Sequence, residues 1–366
     1  MKVLHITPAF HPMVGGIESV VGNLVRRSRM HGVEADVLHI SPAIPRLVHE
    51  TCDGAQVWRA PLWPNRLVGV AWPIREILGQ YEIWHVHDPQ LMAISANVLS
   101  RSRGEKKVLS THGGFFHTRS KAAWKSLHWR FVARAIMNRY DYVLASSASD
   151  FQIFSPNSER LKLAPNGVDT RKYADVRDVR RRDALHWIYW GRLAKNKRVD
   201  LLIDLVKQAH DAGLQARLTI AGEDFDKIAG ALEKKAAQLG VSSHIRFLGT
   251  LSDDELKAEI STHTIFVTAS EHEGFGLAIV EAMSAGLIVF CRDIAPINAF
   301  VTPDRDGAFL KFDGGEGDMA SIGAIAAAPD KELGCRRLES RSAAARHDWT
   351  VAIDPFLQVY EELSRR

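Results

Sequence analysis

Along the first half of the chain, short apolar runs alternate with longer stretches whose apolar residues recur every three to four positions. Residues 3–7 read as a strand, followed by a loop with prolines and glycines over 8–16. A helix is predicted over about 18–30, with Val20, Val21, Leu24 and Val25 on one face. Further strands are expected at 35–40, 83–87, 107–111 and 142–146. The second half repeats the style, with strands at 186–190, 217–221, 245–248, 265–269 and 287–291 and helices at 200–212 and 227–239. Apolar strands this short, set between helices, predict parallel sheets covered on both faces. Residues 166–169 (Asn-Gly-Val-Asp) and the charge-rich 177–183 have turn chemistry and no apolar period, which marks a linker. The expected organisation is α/β, with two Rossmann-like domains facing across a cleft. The first covers 1–165, the second 166–348, and a last helix within 349–366 crosses back to the first. Ligands of such sheets lie beyond the carboxyl ends of the strands, so the loops there are where chemistry is sought.

Composition narrows the class. A length of 366 residues suits two domains at about 100–200 residues each. With 46% hydrophobic and 25% charged residues, the chain reads as globular and not disordered or fibrous. No apolar run approaches the roughly 18–20 residues that span a bilayer. The opening stretch, broken by His5, reads as a strand and not a secretory signal. Cys52, Cys291 and Cys335 are odd in number and far apart, which argues against disulfides and a cysteine zinc site and fits a reducing cytoplasm.

The net charge of +4 conceals an asymmetry: residues 1–165 carry +8 and residues 166–366 carry −4. Residues 101–139 hold ten Lys and Arg against a single acid, Glu105. Aromatics interleave with these charges, so Arg119, Lys121, Trp124, Lys125, Trp129 and Arg130 form a candidate membrane or acceptor surface. A solvated basic face is the plain alternative, and a nucleic-acid patch the third reading.

The candidate chemistry sits in loops. Gly15 and Gly16 end the loop after the first strand, just before a helix, and would let backbone N–H groups approach an anion; a plain turn fits as well. The G-x-G-x-x-G dinucleotide pattern is absent there. His112 follows a strand and precedes two glycines, so it can present its imidazole to a ligand, although a structural histidine fits the same pattern. His85, His87 and Asp88 look like a metal cluster, but the two imidazoles are expected to diverge to opposite faces of their strand. Arg192 and Lys197 follow the first strand of the second half, where they suit a diphosphate or simply a solvated basic loop.

The sharpest feature is Glu273-Gly-Phe-Gly-Leu-Ala-Ile-Val-Glu281, which joins a strand to a helix. The N–H groups of Phe275, Gly276 and Leu277 are expected at the helix start, where phosphate binds well. Glu273 can accept from sugar hydroxyls and Glu281, about one turn on, from ribose hydroxyls. The pairs Asp224/Asp226 and Asp304/Asp306 have the spacing of divalent-metal ligands but read as surface loops, so no metal is expected.

Together these motifs resemble the family 4 retaining glycosyltransferases of GT-B fold. Gly15-Gly16-Ile-Glu18, His112, Asn166-Gly-Val-Asp169, Arg192 with Lys197, and Glu273 with Glu281 occur in that family's order. Ser110-Thr-His-Gly-Gly-Phe-Phe-His-Thr118 and His272-Glu-Gly-Phe-Gly further resemble bacterial α-1,3-mannosyltransferases of xanthan- and acetan-type exopolysaccharide assembly. The resemblance implies a GDP-mannose donor, a cellobiosyl-diphosphopolyprenol acceptor and metal-independent transfer without a cofactor. It implies backbone contact of Gly16 with the diphosphate, and Arg192 and Lys197 on the leaving diphosphate. Glu273 would hold the sugar, Glu281 the ribose, and His112 the sugar from the first domain. The donor base is expected near Gly222 and 247–249. No carboxylate stands out as a nucleophile, which implies front-face attack. A peripheral position on the cytoplasmic face of the plasma membrane follows, with no nucleic-acid partner. The rival readings are the same fold with UDP-glucose or UDP-GlcNAc and a different lipid-linked or lipopolysaccharide acceptor, a sugar-nucleotide epimerase, or a non-catalytic nucleotide-binding protein.

Overall fold

The computed structural model describes residues 1–13, 15–63, 70–71, 74–88, 105–113, 137–157, 160–174, 176 and 185–366. The chain divides into two compact units, Met1–Gly167 together with Trp349–Arg366, and Val168–Asp348.

The first unit opens with β1 (Lys2–Thr7), α1 (Gly16–Met30), β2 (Glu34–Ser41), β3 (Val48–Cys52), β4 (Ala55–Trp63) and β5 (Val70–Ala71). It continues through α2 (Arg75–Leu78), β6 (Ile83–His87), β7 (Lys106–Ser110), β8 (Tyr142–Ala145), α3 (Ala148–Phe154) and β9 (Leu161–Leu163). Among the described residues these strands form one sheet in the order β3-β4-β2-β1-β6-β7-β8-β9, with β5 also on β4. Pairing is parallel except for β3 and β5, which run antiparallel to β4. The β3–β4 hairpin was not expected, because β3 is exposed and carries no apolar alternation. Its turn is Asp53-Gly54, with φ of 48° and 78°, the backbone that a right-twisted hairpin requires.

The second unit holds β10 (His186–Trp190), α4 (Val199–Asp211), β11 (Arg217–Ala221), α5 (Ala229–Gln238), β12 (Ile245–Gly249), α6 (Asp253–Ile260) and β13 (Ile265–Val267). Then come α7 (Leu277–Ser284), β14 (Ile288–Cys291), β15 (Gly307–Phe309), α8 (Glu316–Ala326) and α9 (Asp330–Ala345). Its sheet is parallel throughout, in the order β12-β11-β10-β13-β14-β15. Strand alternation divides each strand between two cores. Trp187 and Tyr189 enter one with Phe290, while Ile188 and Trp190 enter the other with Phe266. Each fully buried phenylalanine contributes roughly 1.5–3 kcal/mol.

Two expectations need correction. Part of the supposed linker is built into the second unit: Val168 bridges Asp348, Thr170 bonds the Asp348 carboxylate, and Tyr173 is buried. Residues 177–183 lie outside the described residues. The last helix is in fact two, α10 (Trp349–Ala352) and α11 (Asp354–Ser364), both in the first unit. Pro355 opens the second, since it has no N–H to continue the preceding turn. Trp349 and Tyr360 are fully buried, and a Cβ on Gly167 would fall inside the Trp349 ring.

Candidate active site

In the second unit the strand order reverses between β10 and β13, the place in such sheets beyond whose carboxyl ends ligands are held. The adjacency of these strands brings the loops after them together, and Glu271 N–H donates to the Asn196 carbonyl at 3.0 Å. Lys197 Nζ donates to both carboxylate oxygens of Glu273 at 2.8 Å. Both side chains are mostly buried, 20% and 11% exposed, so the pair is sheltered but open to a ligand. Next to it, Arg198 bonds Glu271 at 2.7 Å and Asp200 at 3.0 Å, which pins the Lys197 loop to the Glu273 loop a second time. Arg192 is exposed and stacks its guanidinium over the Phe225 ring at 4.8 Å, while its carbonyl accepts from Tyr189.

Gly276 caps α7 with φ of 91°, a left-handed conformation that suits glycine. No side chain caps this helix end, where first-turn N–H groups lack partners within the helix. Leu277 begins the helix, whereas Phe275 is buried against Phe300 and His347. Glu281 lies one turn in and accepts from Trp190 Nε1 at 3.4 Å. Burial raises its carboxyl pKa, while Lys172 and the Trp190 bond oppose that rise. Gly222 has φ of 139°, and a Cβ on it would overlap the Gly191 carbonyl oxygen. This close approach borders a cavity of about 220 Å³ lined by Leu193, Gly222, Asp224, Phe247 and Gly249, among others.

Three of the four carboxylates in the Asp-x-Asp pairs accept from backbone N–H groups. Asp224 accepts from the N–H groups of Ile228 and Ala229, and Asp226 accepts from Lys195 N–H. Asp306, read from sequence as surface, is buried and accepts from Thr302 N–H.

In the first unit, Gly15 is the N-cap of α1 with an extended φ of 176°, and Gly16 is the first helical residue. A Cβ on Gly15 would collide with the Glu18 carboxylate, which folds back over this helix start. His112 follows β7 with φ of 48°, unusual for a non-glycine residue. The buried Asp150 holds this turn. Its Oδ2 accepts from Thr111 Oγ1 at 2.5 Å, Gly113 N–H at 2.8 Å and Ser146 Oγ at 2.7 Å.

His85 and His87 do not diverge. Residues two apart on a strand share a face, so both imidazoles lie on one side of β6 with ring centroids 4.2 Å apart. His5, in register with His85 on β1, joins them. Each offers a ring nitrogen within 4.8 Å of those of the other two, the spacing of a metal-ligand set. Five of their six ring nitrogens are engaged otherwise, and His5 Nε2 is buried without a partner. His85 bonds Tyr360 at 2.6 Å and Ser110 at 2.7 Å, while His87 bonds His5 at 2.9 Å and His112 at 2.7 Å. Burial lowers all four histidines, His5 to about 3, His112 to about 4, and His85 and His87 well below the ordinary value.

Neither Asp150 nor His5 was singled out from sequence. The Ser147-x-x-Asp150 spacing before a helix is the signal that could have marked the former, and Ser147 does cap α3 through Asp150 N–H. Arg119, Lys121, Trp124, Lys125, Trp129 and Arg130 lie outside the described residues. Lys107, counted in the same basic segment, is buried with its Nζ 5.9 Å from the Trp84 ring centroid, so it belongs to no basic surface. Among the described residues no helix is long and apolar enough to cross a membrane.

This geometry has known counterparts. Residues 14–172 match the family model Glycosyltransferase Family 4, and residues 178–320 match Glycosyl transferases group 1. A GDP-mannose:cellobiosyl-diphosphopolyprenol alpha-mannosyltransferase of Xanthomonas campestris is 29% identical over 98% of this chain and 96% of its own length. The enzyme of that name from Komagataeibacter xylinus is 29% identical over 100% and 94%. Sucrose-phosphate synthase from Thermosynechococcus elongatus superposes with a TM-score of 0.79 at 18% identity, each chain covered fully, which shows the shared fold. The chain belongs to the family 4 glycosyltransferases of GT-B fold.

Proposed function

We propose that this glycosyltransferase moves mannose from GDP-mannose onto a polyprenyl-diphosphate-linked glycan, forming an α-1,3 linkage with retention, in exopolysaccharide assembly. The observation that carries the reading is the sheltered Lys197–Glu273 pair beside an uncapped helix start, in a chain matched end to end by relatives bearing that activity in their names. The diphosphate takes the α7 N-terminus, with Lys197 and Arg192 neutralising its growing charge as the glycosidic bond breaks. Electrostatic help of this kind is commonly worth several kcal/mol. Glu273 accepts from hydroxyls of the mannose and Glu281 from those of the ribose. The base occupies the cavity beside Gly222 and Phe247. Gly15 and Gly16 give backbone contact to the phosphates, and His112 meets a sugar hydroxyl.

With these cations in place the transfer requires no metal ion. No carboxylate is assigned as nucleophile, and the departing phosphate takes the acceptor's proton on the front face. Arg119, Lys121, Trp124, Lys125, Trp129 and Arg130 meet an anionic membrane surface from the cytoplasmic side. The test is a donor and acceptor matrix: labelled GDP-mannose, UDP-glucose and UDP-GlcNAc, each offered with polyprenyl-diphosphate cellobiose. Product from GDP-mannose alone is expected. Product from a UDP-sugar instead would move the chain to a different donor, and epimerisation without acceptor would remove it from the transferases.

A further inference from the structure

The cavity beside Gly222 has the form of a slot for a flat ring. It lies where β11 and β12 end side by side, tied by the Gly222 N–H donating to the Gly249 carbonyl at 2.7 Å. Leu193, Ile220 and Phe247 give it apolar sides. At Gly249 an added Cβ would meet no atom within 4 Å, so the space over that backbone is open. Apolar sides of this kind cover the faces of a planar heterocycle, and a few polar groups at the rim read its edge.

The polar side chains of the lining are Asp224, Glu233 and Thr250. Among the described residues no Lys, Arg, His, Asn or Gln lines the cavity. Apart from the Thr250 hydroxyl, its side chains can therefore only accept hydrogen bonds when ionised. Asp224 is partly committed. Its Oδ1 accepts from Ile228 N–H at 2.7 Å and Ala229 N–H at 3.2 Å, which fastens the start of α5 to the loop after β11. Glu233 stands one turn along α5 from Ala229, so both fall on the face toward the cavity, while Leu232 and Ala236 turn into the core. Glu233 is exposed and makes no hydrogen bond or ion pair among the described residues.

A rim that only accepts discriminates among bases. Guanine presents two adjacent donors, N1–H and the 2-amino group, which one carboxylate takes in parallel as it takes the fork of an arginine. Uracil presents a single N–H between two carbonyl oxygens, and adenine an amino group beside a ring-nitrogen lone pair. Against either of these a carboxylate faces another acceptor, which opposes binding.

We propose that Glu233 reads the base of the donor, its carboxylate accepting from N1–H and the 2-amino group of a guanine in this cavity and disfavouring bases without that pair of donors. The proposal rests on the reading that the donor's base occupies the cavity. The choice of guanine over uracil comes from the lining alone.

Inosine diphosphate (IDP) is GDP without the 2-amino group, so it removes one of the two bonds. Calorimetric titration of the full-length protein with GDP, IDP and UDP, repeated for Glu233→Gln and Glu233→Ala, measures the choice. Wild type is expected to bind GDP about tenfold tighter than IDP, the worth of one hydrogen bond to a charged group, and UDP more weakly still. In both variants GDP should fall to near the IDP affinity. The ratio of GDP to IDP affinity is the quantity read, because removing a negative charge near a diphosphate acts on every nucleotide alike and cancels in it. Thermal unfolding should be unchanged, since Glu233 is on the exposed side of its helix.

Equal binding of GDP and IDP by the wild type overturns the proposal. So does a tenfold ratio that survives in both variants. Either result leaves the donor reading standing. UDP bound more tightly than GDP by the wild type overturns the donor reading itself, and the proposal with it.

Discussion

The two units share a parallel α/β plan but use their switch points differently. In the second unit, the loops after β10 and β13 carry opposite charges that meet at the strand ends, Lys197 on Glu273 and Arg198 on Glu271. In the first, the space beside β1 and β6 is filled by neutral imidazoles bonded to one another below the strand ends. One switch point holds a mostly buried charge pair, Lys197 on Glu273. The other is prepared to hold a single side chain, His112, in an unusual backbone conformation. The same topology thus supplies electrostatics in one unit and orientation in the other.

Removing the charge pair should separate the two most clearly. Lys197→Ala and Glu273→Ala are each expected to lower kcat by about 10²–10³-fold or more, as loss of a transition-state charge contact does. Each also strips a partner from the other side chain, so unfolding should shift by only a few degrees. Wild-type turnover in either variant would remove the second unit's switch point from the reaction.

In the first unit, Asp150→Ala leaves three donors around His112 without their acceptor. A loss of roughly 3 kcal/mol in stability is expected from urea unfolding, with transfer falling in step as the His112 turn relaxes. Unchanged stability would mean that His112 is held by something else.

Acid should also find the first unit first. An unfolded histidine titrates near 6.5, whereas His112 in the fold is lowered to about 4 and His5 to about 3. Between those values the unfolded chain takes up protons that the folded chain refuses. Stability is therefore full above about pH 6.5 and declines as pH falls toward the folded pKa values. The His112 shift alone is worth on the order of 3 kcal/mol. Hydrogen exchange at pH 4.5–5 should show β1 and β6 opening before β10 and β13. Simultaneous opening would deny the histidines this role.

The smallest effect expected is at Phe225, whose ring lies under the Arg192 guanidinium. Exposed contacts of this kind are worth about 0.5–1 kcal/mol. Phe225→Ala should therefore weaken kcat/KM by roughly two- to fivefold, with stability unchanged. A loss as large as that of Lys197→Ala would give Phe225 a direct contact with the donor.

Much of the fold was legible because its signals are local. The strand runs 83–87, 186–190 and 217–221 coincide with β6, β10 and β11, since strands buried on both faces read as mostly apolar runs. The glycine-bounded turn before α7 was legible for a similar reason: a left-handed N-cap and a helix start are written in adjacent residues. By itself the sequence thus determined the α/β class, the loops worth searching and the residue types available in them.

Tertiary structure decided which of those residues meet. Lys197 reaches Glu273 only because β13, far along the chain, pairs beside β10. His5 reaches His87, and His87 reaches His112, because β1, β6 and β7 are adjacent in one sheet. Asp150 lies well after His112 in sequence and finds it only through the pairing of β7 with β8. The exposed β3 has too little apolar patterning to be seen, and it is defined by its partner strand. Hydrogen bonds and charge pairs act over a few ångströms, and the order of strands in a sheet, which no local stretch of sequence encodes, sets which side chains come within that range.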